Sequence, residues 1–368
     1  MIGEASFHGS DVEKVAGLYG IDPERLILFS ANVSPMGVSG KYTEGIKDRL
    51  DCVERYPDRD YTALREAIAG YCSVSPEAIT VGGGSSELIG AVIRHKPKPA
   101  ALIVAPAYAE YERNVLLSGG RTVHHYLKEE NGFEFDTDAL IERIDESIDI
   151  LIICNPVNPV STALTREETE RILKKCREKN VILVMDETYI DFADEGFDAS
   201  PLTGDYGELF VIRSMSKFFC APGLRIGYGI TSDRELLKEI EGNKDPWSVS
   251  SLSNEAAILM LSDRDYIGRA KRYMKDERER VCGKLDGLKE KGIRYYRPRA
   301  NFVLLKLPEG GPTSHGLFEK AVRNGMLIRD CADFDGLGDR FIRFCFMKKE
   351  DDDRLLSLIG EAIGEAYN

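Results

Sequence analysis

The chain has 368 residues, and at roughly 150 residues per domain this length predicts two domains. It is 43% hydrophobic and 30% charged, with 34 Gly and 15 Pro, a packed composition that excludes disorder as its main state. The formal net charge of −13, with no basic arm, argues against nucleic acid or an anionic membrane surface as a partner, so a small anionic ligand must be held by a few local Arg, Lys or backbone N–H groups.

The predicted elements alternate along the chain. Residues 44–72 read as helical twice over, broken by the Pro- and Asp-containing turn RYPDRDY at 55–61. Short apolar runs follow at 78–81, 101–106 and 121–126, the last alternating like a strand. The runs at 148–156 and 180–187 are near-continuous in Ile, Leu and Val, as in strands covered on both faces. Between them, residues 165–179 predict an amphipathic helix opened by a Thr165–Glu168 capping box. Strands at 209–214 and 226–231 complete an α/β domain with a mostly parallel or mixed sheet. Beyond residue 245 a long charged helix over 263–291, strands at 302–307, 326–330 and 340–346 and a helix from about 350 predict a smaller α+β unit. The expected division is an arm over 1–44 that packs on the small domain or a partner subunit, a large domain over 45–245 and a small domain over 246–368.

No apolar run reaches the ~18–20 residues that cross a bilayer, and the opening MIGEASFHGS lacks the apolar core of a signal peptide. The eight cysteines form no CxxC, and several, such as Cys154 and Cys345, lie inside apolar runs. They read as free thiols of a reducing cytoplasm. Five scattered His give no ligand spacing, so no metal site is expected.

The chemistry is carried by polar residues that follow strand ends, where open α/β sheets place their ligands. VGGGSSE at 81–87 forms an anion cradle of backbone N–H groups at a helix N-terminus, without the spacing of a Walker A loop. Alone, such a turn is as consistent with a plain tight turn. Lys217 follows an apolar strand and is flanked by Phe218, Phe219 and Pro222, where desolvation lowers an amine's pKa, as an imine-forming lysine requires. An ordinary surface lysine is the bland alternative, weighed against Ser214 and Arg225, which converge on one phosphate beside it. Asp186 ends the most apolar strand, where a carboxylate is costly unless paired, and a protonated pyridine nitrogen is such a pair. A helix-capping Asp is the alternative. Tyr189, Asn158 and the ring-stacking Tyr108 complete a set that describes a pyridoxal-phosphate site.

The ordered series RYPD, GGGSSE, PAY, NPVNP, DETY, SMSK and GLRIGY resembles the aspartate-aminotransferase superfamily of pyridoxal-phosphate enzymes, in its histidinol-phosphate aminotransferase branch, from about His8 to Phe346. Inside that branch, HG at 8–9, FSANVSPMG at 29–37, DPWSVSSLS at 245–253, RANFVLL at 299–305 and LIRDCADFDGLGDRFIR at 327–343 resemble the L-threonine-O-3-phosphate decarboxylases of cobalamin biosynthesis. The resemblance implies an aspartate-aminotransferase-like fold, with a mostly parallel seven-stranded sheet in the large domain. It implies pyridoxal 5'-phosphate held covalently by Lys217, with Asp186 on the pyridinium, Tyr189 and Asn158 on the ring oxygen and Tyr108 on the ring face. Gly84, Ser85, Ser86, Ser214 and Arg225 would hold the cofactor phosphate, with Tyr56 arriving from the second subunit of a homodimer. Arg329 and Arg343, with His8 and Asn32, would bind an anionic substrate. Three features depart from the usual pattern: NPVNPVS lacks the glycine of the NPxNPTG loop, Tyr189 stands where the decarboxylases carry Phe, and three glycines replace Gly-Asn-Gly. The leading expectation is a decarboxylase of a phosphorylated amino acid. The alternative is a histidinol-phosphate-type transaminase using 2-oxoglutarate. A ligand-responsive regulator on the same scaffold is disfavoured, since there is no room for a DNA-binding domain and Lys217 is present.

Overall fold

A computed structural model of the chain describes Gly9 and residues 11–366. Seven strands form the larger sheet: β1 (Ile79–Gly82), β2 (Ala100–Ala105), β3 (Arg121–Tyr126), β4 (Ile150–Cys154), β5 (Ile182–Asp186), β6 (Leu209–Ser214) and β7 (Gly227–Ile230). Their order is β1-β7-β6-β5-β4-β2-β3. β7 alone runs against its neighbours, and the other pairings are parallel. β2, β4, β5 and β6 are buried at every residue, which explains their unbroken apolar sequences. The helix Arg166–Lys179 opens with the expected Thr165–Glu168 capping box and ends at Asn180 in a left-handed conformation.

A second sheet of four strands has the order β10-β11-β9-β8, from β8 (Arg294–Tyr295), β9 (Phe302–Lys306), β10 (Arg329–Asp330) and β11 (Phe341–Cys345). Two helices, Arg264–Asp286 and Lys349–Ala366, pack against each other in this unit. Residues of the arm join it: Ile27 bridges Met326 in parallel, and Cys345 N donates to Phe29 O at 2.8 Å. The helix Ser251–Leu261 packs on the helix Thr62–Cys72.

Several local expectations shift. The first helical stretch is a short α-helix, Gly40–Gly45, followed by 3₁₀ turns over Lys47–Glu54. That segment buries none of its residues, so no apolar face holds it in α form. The charged helix stops at Asp286, with Lys289–Lys291 as a separate 3₁₀ turn closed by Gly292 in a left-handed conformation. The strand expected over 326–330 shortens to Arg329–Asp330 because Met326 pairs instead with the arm. β8 was not foreseen; two residues carry too little alternation to register.

Candidate active site

The carboxyl ends of β1, β2, β4, β5 and β6 lie along one rim of the large sheet, and the expected residues follow them. At the end of β1, Gly84 caps the helix Ser85–Arg94 with φ +102°, a conformation natural to glycine. A Cβ there would lie 2.6 Å from Arg225 Nη2, and one at Gly227 would lie 2.5 Å from Ser85 N. These two glycines let β7, the Arg225 guanidinium and the helix N-terminus close on one another. At the end of β6, Ser214 Oγ and Ser216 Oγ are 2.7 Å apart, and Ser216 N donates to Ser214 Oγ at 3.2 Å. Hydroxyls, a helix N-terminus and a guanidinium thus form a cup with the chemistry of a phosphate site.

Asp186 ends β5 and is buried. Tyr111 donates its hydroxyl to Oδ2 at 2.6 Å, while Thr188 donates to Oδ1 from its N–H at 3.0 Å and its hydroxyl at 2.6 Å. Burial raises the Asp186 carboxyl above its ordinary pKa, against the pull of these donors. Tyr108 packs edge-on to Tyr111 with ring centroids 5.7 Å apart, and burial raises its hydroxyl. Lys217 donates from Nζ to Ala31 O at 2.8 Å. Burial lowers its pKa to about 8, and the nearby cations Arg343 and Arg225 push in the same direction. In a chain of net charge −13, positive potential is therefore built locally at this rim.

The other side of the site comes from the smaller sheet. Arg329 and Arg343 are directly opposed across the antiparallel pair β10–β11. Arg343 is only 4% exposed. Its Nη1 donates to Asn158 Oδ1, its Nη2 to Ser30 O at 2.7 Å, and its Nε is a buried donor without a partner. Burial lowers its pKa, and Arg329 repels it in the same sense. Arg329 donates from Nη2 to both oxygens of Asp333, at 2.7 and 2.8 Å, with its guanidinium 5.0 Å from the centre of the Phe334 ring. Asn32 is buried with φ +55° and donates to Tyr189 Oη at 3.4 Å, while its own Oδ1 lacks a partner. Tyr189 packs on Phe302, and burial raises its hydroxyl strongly.

Lys217, Asp186, Tyr108, Tyr189, Asn158, Asn32 and Arg343 are thus gathered around one rim, with the Gly84–Ser86, Ser214 and Arg225 cup at its end. Tyr56 does not join them: it is 80% exposed, with its ring 4.8 Å from that of Trp247. His8 lies outside the described residues, but Gly9 accepts a hydrogen bond from Ser30 Oγ at 2.5 Å, next to the Ser30 carbonyl that holds Arg343. Sequence reasoning missed Tyr111, Thr188 and Ser216. The signal for Tyr111 was its place one helical turn after Tyr108, and for Ser216 its hydroxyl two residues after Ser214. The missing glycine of NPVNPVS is also explained. Ser161 itself takes φ +67°, its Oγ accepts from Ala300 N at 3.0 Å and its carbonyl from Arg299 N at 2.8 Å.

A phosphate cup, a buried carboxylate and a low-pKa lysine on an α/β rim define the pyridoxal-phosphate class of enzyme. The family model "Aminotransferase class I and II" matches residues 25–359, and the chain belongs to that pyridoxal-phosphate-dependent family. It is 32% identical over 354 residues to a threonine-phosphate decarboxylase of Salmonella typhimurium, covering 96% of each chain. It is 31% identical over 358 residues to a histidinol-phosphate aminotransferase of Methanothermobacter thermautotrophicus, covering 96% of this chain and 94% of that one. Among solved structures, the histidinol-phosphate aminotransferase of Clostridium acetobutylicum aligns with a TM-score of 0.86 at 31% identity, over 92% of this chain and 99% of that one. The expected aspartate-aminotransferase-like fold is the fold observed. Relatives of both activities match about equally, so the comparisons are consistent with the decarboxylase and with the transaminase. The residues present fit the cofactor: the glycine-bounded cup suits its phosphate and Asp186 suits a protonated ring nitrogen.

Proposed function

We propose that the chain is a cytoplasmic homodimeric decarboxylase of a phosphorylated amino acid, of the O-phospho-L-threonine kind, divided into the arm, large and small domains expected from sequence. The observation that carries this reading is the Arg329–Arg343 cross-strand pair, whose Arg343 is near enough to Lys217 to help lower its pKa. Two guanidiniums on one sheet face concentrate charge suited to a phosphate dianion. Gly84, Ser85, Ser86, Ser214 and Arg225 would hold the cofactor phosphate, Asp186 its ring nitrogen, Asn158 and Tyr189 its ring oxygen and Tyr108 its face, with Tyr56 supplied by the partner subunit. Pyridoxal phosphate, when bound, supplies an electron sink for the bond broken at the substrate Cα.

The chain's own residues select which bond that is. A phosphate gripped by Arg329 and Arg343, with His8 and Asn32 beside it, leaves the α-carboxylate untied and able to depart as carbon dioxide. Lys217, with a pKa of about 8, is partly neutral near physiological pH, so it can capture the cofactor carbonyl. Its amine would also carry the proton that Cα takes up as carbon dioxide leaves.

The deciding experiment incubates the holoenzyme with O-phospho-L-threonine and no oxo acid. Release of carbon dioxide with formation of a phosphorylated amino alcohol supports the proposal. Turnover that requires 2-oxoglutarate, with histidinol phosphate the better substrate, selects the transaminase instead.

A further inference from the structure

Behind the rim lies a buried charged cluster that none of these roles uses. Glu187 is fully buried and Arg213 nearly so. Arg213 Nε donates to Glu187 Oε2 at 2.9 Å, and Nη2 lies 2.7 Å from the same carboxylate oxygen. Nη2 also donates to Ser200 Oγ at 2.9 Å, and Ala199 N donates to Glu187 Oε1 at 2.5 Å. Nη1 reaches Cys72 Sγ, 3.8 Å away, on the helix Thr62–Cys72. The cluster therefore ties together two strand ends, the 199–200 turn and a covering helix.

Its place in the sheet is what gives it meaning. Glu187 directly follows Asp186 at the end of β5, and Arg213 directly precedes Ser214 on β6. The two strands pair in parallel, with Asp186 opposite Ile212, and Glu187 N donates to Ile212 O at 2.8 Å. Side chains alternate along a strand. One face of this strand pair therefore presents Asp186 and Ser214 to the rim, while the other presents Glu187 and Arg213 to each other. A buried ion pair is a poor source of net stability, and an apolar pair of similar volume fills a core as well. A forked guanidinium bound along fixed directions does something an apolar pair cannot: it sets how two strand ends sit relative to each other. Burial pushes the Glu187 carboxyl up to about 7 against the pull of Arg213, so the charge on Glu187 depends on its partner being in place.

We propose that Glu187 and Arg213 are a positioning pair that fixes the separation of Asp186 and Ser214, and hence the fit of the cofactor between its ring nitrogen and its phosphate. This rests on the reading that Asp186 and Ser214 hold those two groups. Neither residue of the pair touches the cofactor.

The test reconstitutes apoprotein with pyridoxal phosphate in Arg213→Lys and in the double variant Glu187→Leu/Arg213→Met. It reads three quantities: the melting temperature, the cofactor Kd, and the pH midpoint of the visible band of cofactor held through Lys217. Arg213→Lys keeps the charge and loses the fork, while the double variant removes the ion pair without leaving a lone buried charge. The expected result is a folded double variant melting close to wild type, with a cofactor Kd raised about 10-fold or more, the size found when partners lying behind a ligand are removed. The band midpoint should move in both variants, because Asp186 no longer meets the ring nitrogen squarely. Wild-type Kd and midpoint in a folded variant would overturn the proposal. So would failure of both variants to yield folded apoprotein, which would assign the pair to folding alone. Asp186→Ala separates the two layers: if it binds cofactor as wild type does, the reading of Asp186 fails and the pair's role falls with it. If Asp186→Ala weakens binding and the double variant does not, only the positioning role fails.

Discussion

The two sides of the candidate site are built on different principles. On the side of the seven-stranded sheet, Gly84, Asp186, Ser214 and Lys217 sit at strand ends or just after them, so backbone pairing places them before any side chain is considered. On the side of the four-stranded sheet, Arg343 is placed by contacts from distant parts of the chain, namely Asn158 and the Ser30 carbonyl, and Arg329 is engaged by Asp333 four residues on. The seven-stranded side is a fixed socket. The four-stranded side is a set of charges whose partners a substrate must join or replace.

The sharpest break in this comparison is Lys217→Ala. It should abolish the visible band of covalently held cofactor and lower turnover by roughly 10³-fold or more, measured by absorbance and by product release. Capture of cofactor by wild-type apoprotein needs the neutral amine, so its rate should rise with pH to a plateau with a midpoint near the Lys217 value of about 8. Arg343 is one of the cations that hold that value down. Arg343→Leu should therefore shift the midpoint upward, whereas a midpoint unmoved by this change would mean that burial acts alone.

The second break compares the two arginines. Either Leu substitution removes charge-assisted bonds to the proposed substrate, a loss of about 2–4 kcal/mol, or about 30- to 1000-fold in kcat/KM. Arg343→Leu should fall at the severe end, because it also strands Asn158 Oδ1 and the Ser30 carbonyl in a buried setting. Asn158 is proposed to touch the cofactor, so Arg343→Leu should weaken cofactor binding too. Arg329→Leu should leave cofactor binding unchanged, since Arg329 engages Asp333 and Phe334 on the following loop and not Asn158. Equal cofactor affinity in the two variants would mean that Arg343 does not act through Asn158.

A smaller effect concerns the end of β11. Asp352 is buried and accepts from Met347 N at 3.0 and 3.1 Å. Burial and the neighbouring Glu277 push its carboxyl from 3.8 up to about 9. Glu277 is held below its ordinary value despite burial, chiefly by Arg280. Between those two pH values the folded state keeps a proton that the unfolded chain has released, so stability falls as pH rises through that window. Asp352→Asn keeps an acceptor for Met347 and an N–H donor in place of the acid proton. Its melting temperature should exceed wild type by a few degrees at about pH 8, and the gap should close at about pH 4, where both chains are uncharged at this position. A gap independent of pH would show that Asp352 does not carry the proton.

How much of this was legible in the sequence follows the same division. The strands of the large sheet announced themselves as apolar runs, and polar residues after the runs of β1, β2, β4, β5 and β6 were the site residues, because those parallel ends share one rim. The opposition of Arg329 and Arg343 was also readable as two adjacent strands. The Asn158–Arg343 bond spans 185 residues of sequence, and no local pattern could announce it. Tyr111 was hidden for a related reason. Its partner Asp186 is on another strand, so only its helical spacing from Tyr108 hinted at a shared direction. The Glu187–Arg213 pair read as ordinary members of DETY and IRS, since nothing local distinguishes the rear face of a strand buried on both sides.

The smallest effect is predicted for Ser161→Gly, where the chain departs from the glycine usual in this loop. A non-glycine residue at φ +67° carries backbone strain of order 1–3 kcal/mol. Glycine would relieve that strain, but it would lose the bond from Ala300 N to Ser161 Oγ, about 0.5–1.5 kcal/mol. It would also add freedom to the unfolded chain, about 0.4–1 kcal/mol. These terms nearly cancel, so the urea midpoint should correspond to a change within about 1 kcal/mol of wild type. Asn158 lies three residues earlier in the same turn, which is closed by Ser161 N donating to Val157 O at 2.6 Å and Val157 N donating to Thr162 O at 2.8 Å. Both bonds are backbone to backbone and survive the substitution, so cofactor binding and turnover should be retained. A loss of more than about 2 kcal/mol would instead show that the serine hydroxyl, through Ala300, is what joins this loop to the start of β9 and keeps Asn158 against Arg343.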